Sequence, residues 1–255
     1  MTATMFRVVV KDLTMAYGSV VMQRDVIFSI QPGEIRIIMG RSGCGKSTLL
    51  RCLMGLVRPA YGEVFYEGSV SGRPPLGSAR LMRRCGVLYQ SGALWSSITL
   101  VENVAVPLEA YRTLRPRARR AVVSLTLALV GLAGCEEVYP CERSGGRRKR
   151  AALARAMALD PDLLFFDEPS AGLDPLSSRR LDELILEIRA SLGATIVVVT
   201  HEVARMLTIG DNGVFLDAET RTILAVGNPK TLRETSPEPQ IRAFLSRGEA
   251  DTTTV

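Results

Sequence analysis

Residues 34–50, "EIRIIMGRSGCGKSTLL", constrain this chain more than any other stretch. A short β-rich run enters a glycine loop, and apolar residues at helical spacing leave it. Gly40, Arg41, Ser42, Gly43, Cys44, Gly45, Lys46, Ser47 and Thr48 fit the pattern GxxxxGK[ST] in the strand-to-helix context that this pattern requires. The glycines let backbone N–H groups curl round a phosphate, and the helix N-terminus adds its partial positive charge. Lys46 is then placed to reach the β- and γ-phosphates of a nucleotide, and the Ser47 hydroxyl to ligate Mg²⁺.

A strand feeding such a loop predicts an α/β fold, and the remaining segments agree. "FRVVVKDL", "VVMQRDVIFSI" and "GEVFYEG" alternate apolar and polar residues like antiparallel strands. "RRCGVLYQ" reads as a further strand ending at Gln90, and residues 91–158 turn helical. "DLLFFDE" and "ATIVVVTHE" are continuous apolar runs of the kind buried on both faces of a parallel sheet. The helix between them, "SSRRLDELILEIRASLG", stops at Gly193, and strand–helix–strand in this order implies a right-handed parallel crossover.

Three strand ends gather chemistry. Asp167 would arrive at the carboxyl end of a buried strand, where open α/β sheets bind ligands, and would hold Mg²⁺ through water. Glu168 would polarise an attacking water. The bland alternative, with Pro169 next, is that the two carboxylates open a helix. His201, the only histidine, follows "TIVVVT" and would bond the γ-phosphate and the attacking water. Gln90 ends its strand in the right place to contact Mg²⁺ and water. A second phosphate-seeking feature, "CERSGGRRKR" from residue 141, places Ser144, Gly145 and Gly146 ahead of four cations.

Composition limits the partners. The 255 residues suffice for a sizeable core, and no apolar run reaches the ~18 to 20 residues that span a membrane. The start "MTATMFRVVVKDLT" reads as no secretion signal, and five cysteines with no CxxC pair argue for reduced thiols in cytosol. A net charge of +6 admits nucleic acid, an anionic membrane face or anionic ligands. Aromatics at 5% do not interleave with the basic clusters, which argues against nucleic acid, and "RPRARR" at 115–120 reads most simply as a solvated helix face.

In their order these motifs make the chain resemble an ATP-binding-cassette (ABC) ATPase over nearly its full length. The resemblance implies that Tyr17 in "MAYG" stacks on adenine, that 40–48 is the Walker A loop, and that Gln90 is the Q-loop. It makes Ser144-Gly145-Gly146 the signature, Asp167 and Glu168 the Walker B pair, "SAGLD" through Asp174 the D-loop, and His201 the switch histidine. It implies a P-loop core with an antiparallel β subdomain, about 1–90 and 159–235, and an inserted helical subdomain, about 91–158. A C-terminal helix at about 237–246 and a tail at 247–255 complete the expected single domain. In such ATPases two copies sandwich two ATP head to tail, so the second phosphate feature serves the partner's nucleotide. The pattern departs at Arg143, where leucine is usual, and at Arg147, where glutamine or methionine is usual; with Ser144-Gly145-Gly146 intact, the resemblance still implies an active ATPase, its cycle tuned by these cations.

One nucleotide domain without a span implies separate permease subunits. "YQSGALWSSITLVENVAVPL" at 89–108, "EPSAGLDPLSS" and "PQIRAFLSRGE" are similar to the Mce/Mla group, ATPases of bacterial phospholipid trafficking. That similarity implies a lipid-binding Mce-type subunit as a further partner and a peripheral place on the cytoplasmic face of the inner membrane. A nutrient importer and a non-transport ATPase are the alternatives.

Overall fold

The computed structural model describes residues 7–67, 79–140 and 144–250. Its centre is a six-stranded sheet in the order β5-β6-β7-β3-β8-β9. The strands are β3 (Ile35–Met39), β5 (Cys85–Leu88), β6 (Leu163–Asp167), β7 (Thr195–Val199), β8 (Asn212–Leu216) and β9 (Ile223–Gly227). All neighbours are parallel except β8 and β9, so the sheet is mixed. A second, antiparallel sheet pairs β1 (Arg7–Tyr17) with β2 (Val20–Ile30) and β4 (Tyr61–Glu67).

The continuous apolar runs are explained by burial on both faces. Ile38, Phe165, Val197 and Val199 pack with the antiparallel sheet and with helix α1 (Lys46–Leu53). Ile37, Met39, Phe166, Ile196 and Val198, alternate neighbours on the same strands, face the helices. These are α3 (Leu100–Tyr111), α4 (Pro116–Leu129), α5 (Gly145–Met157), α6 (Pro175–Leu192) and α7 (Val203–Ile209).

Local chemistry sets the helix ends. Thr99 and Glu102 form a capping box at the start of α3, and Gly193 ends α6 in the left-handed region at φ 64°. Arg119 and Arg120 on α4 pair at the surface with Glu109 and Glu137. The remaining helices are α2 (Ala79–Met82), α8 (Pro229–Thr235) and α9 (Pro239–Ala250), so the last helix runs past residue 246. Ile241 and Leu245 of α9 are buried in the chain's own core, and the Phe244 ring meets Phe215 edge-on at 5.2 Å.

One local expectation changes, and one alternative falls away. β5 stops at Leu88, because a turn closed by Gly92 N–H to Tyr89 C=O takes over, so Gln90 lies in that turn. The pair Asp167–Glu168 opens no helix: Asp167 ends β6, and Glu168 sits at φ +46° with its N–H bonded to Val199 C=O at 2.9 Å.

Candidate functional site

Parallel strands point the same way, so β3, β5, β6 and β7 deliver their following loops to one edge of the sheet. The loop after β3 has Gly40, Gly43 and Gly45 at φ +140°, +80° and +96°, conformations that side-chain-bearing residues rarely adopt. Arg41 and Ser42 are exposed on the loop, while Cys44 and Thr48 are buried beneath it. Lys46 bends back over the loop, its ammonium donating to Gly40 C=O at 2.8 Å and Arg41 C=O at 3.0 Å. Gln23 supports the loop from β2: its buried amide donates to Cys44 C=O at 2.8 Å and to Asp217 C=O at 2.6 Å. Tyr17, half exposed, lies at the end of the adjoining strand β1.

The loop meets the end of β6 directly. Ser47 Oγ lies 3.3 Å from Asp167 Oδ1, and Asp167 lines a cavity together with Gln90 and Arg51. Burial raises the Asp167 carboxyl above its usual range, opposed by the Ser47 hydrogen bond and reinforced by the charge of Glu168. Ser47, Asp167 and Gln90 are a set of hard oxygen donors, and the half-buried carboxylate favours a cation beside it; both features fit Mg²⁺.

Glu168 and His201 are brought together from β6 and β7. His201 Nδ1 is 2.9 Å from Glu168 Oε1, and the His201 N–H donates to Oε2 at 3.4 Å. The imidazole is largely exposed while the carboxylate is mostly covered, so the pair sits at the mouth of the cleft. Glu202 next door accepts from Ser170 Oγ at 2.5 Å and from Ser178 Oγ at 3.3 Å. Fully buried Arg205 donates to Asp182 and to the Ser170 and Ser178 hydroxyls, so one ionic network joins the segment after β7 to the loop after β6 and the start of α6. Asp174 closes that loop as the cap of α6, its Oδ1 accepting from Leu176 N–H at 3.1 Å and Ser177 N–H at 3.0 Å. The Ser177 contacts lower its carboxyl below the ordinary value.

Ser144 precedes α5, and Gly145 and Gly146 are its first residues, so their N–H groups belong to the unpaired first turn. A Cβ on Gly145 would come 3.3 Å from the Leu173 side chain, and one on Gly146 would come 3.3 Å from Ser177 Oγ. The pair Gly145–Gly146 therefore packs against Leu173 and the start of α6. Arg147 is exposed beside it, and Arg143 lies outside the described residues.

Lys149, Gln23 and Arg205 were not among the site residues expected from the sequence. Each is a buried polar side chain within an otherwise apolar or helical pattern. Lys149 was hidden in the cationic run, and no local signal singled it out.

A sheet edge that assembles a glycine loop, a carboxylate pair and a histidine in this way defines a P-loop nucleoside triphosphatase. The family profile described as "ABC transporter" matches residues 23–171, and the chain belongs to that family as an ABC ATPase subunit that binds and hydrolyses ATP. It is 41% identical over 240 residues to the "Probable ribonucleotide transport ATP-binding protein mkl" of Mycobacterium leprae, covering 93% of this chain and 68% of that protein. The Mycobacterium tuberculosis counterpart is 40% identical, and the chain spans 66% of its length. Over 244 residues it is 38% identical to the "Intermembrane phospholipid transport system ATP-binding protein MlaF" of Escherichia coli K12, covering 94% of this chain and 88% of MlaF. Among solved structures it resembles the dimeric ABC transporter cassette MJ0796, with a TM-score of 0.75 and 26% identity over 87% of this chain and 98% of that one. It also resembles cbiO1 from Clostridium perfringens, of the cbiONQ complex, with a TM-score of 0.79 and 26% identity over 88% and 89%.

Proposed function

We propose that this chain powers phospholipid movement between bacterial membranes, as one of two copies that close head to tail over two ATP. The similarity to MlaF along 94% of this chain and 88% of that protein carries the reading. The dimeric form of the MJ0796 cassette supports the pairing. In the closed dimer Lys46 and the 40–48 amides bind the phosphates, Tyr17 stacks on adenine, and Ser144, Gly145 and Gly146 of the partner copy cap the γ-phosphate. Glu168 accepts a proton from the attacking water, and His201 orients Glu168 and bonds the γ-phosphate. Ser47, Gln90 and, through water, Asp167 would hold Mg²⁺, which supplies charge neutralisation at the phosphates.

The helical lobe offers a place for a permease. Trp95, Ile98, Val101, Val106, Glu102 and Glu109 line a groove of about 510 Å³. Asn103 fixes its rim, accepting from Trp95 N–H at 2.8 Å and donating to Trp95 C=O at 3.0 Å. Among the described residues no helix is long and apolar enough to cross a membrane, so the moving lipid is handled by other subunits. The partners in this reading are integral permease subunits and a lipid-binding Mce-type subunit, with the ATPase on the cytoplasmic face of the inner membrane. Alternate closing and reopening would shift the permease between inward and outward states.

A second reading is favoured by the mycobacterial name: import of a small solute such as a ribonucleotide. Gentle detergent isolation of the tagged chain from its own membranes, with protein and lipid mass spectrometry, separates the two. A permease with a membrane-anchored lipid-binding subunit and bound phospholipid supports trafficking. A permease with a soluble receptor and no lipid supports solute import, and the absence of any membrane partner overturns both.

A further inference from the structure

Lys149 lies on α5, one helical turn after the Gly145–Gly146 pair, and is 5% exposed. Its ammonium donates to the Gln90 carbonyl in close contact and approaches the Glu168 carbonyl at 3.5 Å. Gln90 belongs to the turn after β5, and Glu168 follows β6 at a strained positive φ. Glu168 C=O also receives Ala171 N–H at 3.1 Å, so Lys149 adds to an existing turn there. The ammonium bridges that turn to Gln90. The same side chain lines a recess with Gln90, Gly145, Gly172 and Leu173, which joins the signature, Q-loop and D-loop of one subunit.

A buried ammonium is costly unless its donors are used, and a methylene stem with a cation at its tip is a poor choice for filling space. Here the donors are spent on backbone atoms of two residues that the proposed function places at the reacting phosphate. We propose that Lys149 is a positioning residue that cross-links the Gln90 and Glu168 turns and couples their spacing to the movement of α5. When the partner's nucleotide draws the α5 N-terminus, Lys149 carries that displacement to the general base and the water-binding glutamine of its own subunit. The inference rests on the proposed roles of Glu168 and Gln90. It adds a route by which the half-site a subunit offers is linked to the half-site it uses.

The test compares the full chain with Lys149→Met, Lys149→Gln and Glu168→Gln in Mg²⁺-ATP turnover, ATP binding, thermal melting and amide hydrogen exchange. Lys149→Met keeps an unbranched stem without the donors, and Lys149→Gln keeps a donor one bond nearer the backbone. Positioning predicts a fall in kcat of about tenfold or more for the methionine variant with ATP Kd within about twofold, because small misplacements of reacting groups cost rate rather than binding. Exchange should quicken at residues 89–92 and 168–171, and the glutamine variant should recover part of both effects. The proposal is overturned if kcat and exchange match wild type. It is equally overturned if kcat, ATP affinity and melting temperature fall together with no recovery by glutamine. If the methionine variant does not fold, the glutamine variant decides by the same criteria. Wild-type turnover in Glu168→Gln would instead sink the general-base reading, while the exchange pattern still judges the Lys149 link.

Discussion

His201 Nδ1 and Glu168 Oε1 stand 2.9 Å apart, joined from the ends of two neighbouring parallel strands. Glu168 is held at φ +46°, which turns its side chain away from the path of a continuing strand. Replacing it tests its assigned role without touching phosphate binding. Glu168→Gln should lower ATP turnover by roughly 10²- to 10⁴-fold and leave ATP affinity near wild type, as measured by steady-state hydrolysis and nucleotide titration. His201→Ala should slow turnover with a smaller change in affinity, since it removes the residue that orients the base.

The head-to-tail arrangement predicts complementation. Lys46→Ala disables the phosphate loop, and Ser144→Arg blocks the signature. Each variant alone should be nearly inactive. Mixed, they form dimers in which one composite site pairs an intact loop with an intact signature, so activity should return to an appreciable fraction of wild type. Hydrolysis rates across a mixing series would show it, and a flat line at zero would argue that both half-sites act within one chain.

Two glycines of the phosphate loop differ in what surrounds them. A Cβ on Gly40 would fall 2.3 Å from Leu216 C=O and 2.7 Å from Cys44 Sγ, whereas one on Gly43 would meet nothing within 4 Å. Both have positive φ, so either alanine pays about 1–2 kcal/mol of backbone strain. Gly40→Ala adds a clash with backbone that cannot move aside, and should lower the thermal midpoint clearly more than Gly43→Ala. Equal shifts would mean that β3 and β8 are less closely apposed than the geometry indicates.

Arg205 is fully buried against Asp182, Ser170 and Ser178. Burial raises the Asp182 carboxyl in spite of Arg205, so the carboxylate depends on its partner. Arg205→Met leaves an uncompensated buried acid, a loss of about 3–5 kcal/mol, and Arg205→Met with Asp182→Leu should regain much of it. Urea unfolding of the two variants measures the difference.

The buried thiols predict both a labelling pattern and a pH trend. Burial pushes Cys52 up to about 11 and Cys85 up to about 12 from an ordinary 9.0. Both should resist alkylation in the native protein at pH 8 and react once it is unfolded, as read by mass spectrometry. Above pH 9 the unfolded chain loses these protons while the fold retains them. Their contribution is therefore intact below pH 9 and erodes as pH rises toward 11–12, so the urea midpoint should fall over that range.

Much of this was legible in short windows of sequence. The loop of residues 40–48 declares itself because its spacing and its flanking periods are both local. Asp167, Glu168 and His201 stood out in the sequence because each lies within two residues of the end of an unbroken apolar run. Gln90 was placed at a strand end but lies in a turn, since a turn and a strand terminus look alike when the closing hydrogen bond, Gly92 to Tyr89, is unseen. A C-terminal helix was legible from the resemblance, but its packing was not: the structure buries Ile241 and Leu245 in the chain's own core.

By itself the sequence determined the glycine loop and the apolar runs of four strands in the central sheet, because both depend on neighbours a few residues apart, while β8 and β9 carried no signal that was read. Only the tertiary structure decided that β7 lies between β6 and β3, which sets His201 beside Glu168. It alone revealed Gln23 under Cys44, Arg205 joining Ser170 and Ser178, and Lys149 bridging Gln90 and Glu168. The reason is physical: these polar contacts join residues far apart in the chain, and each is selected by the shape and unmet hydrogen bonds of a cavity that exists only after the sheet and helices have packed.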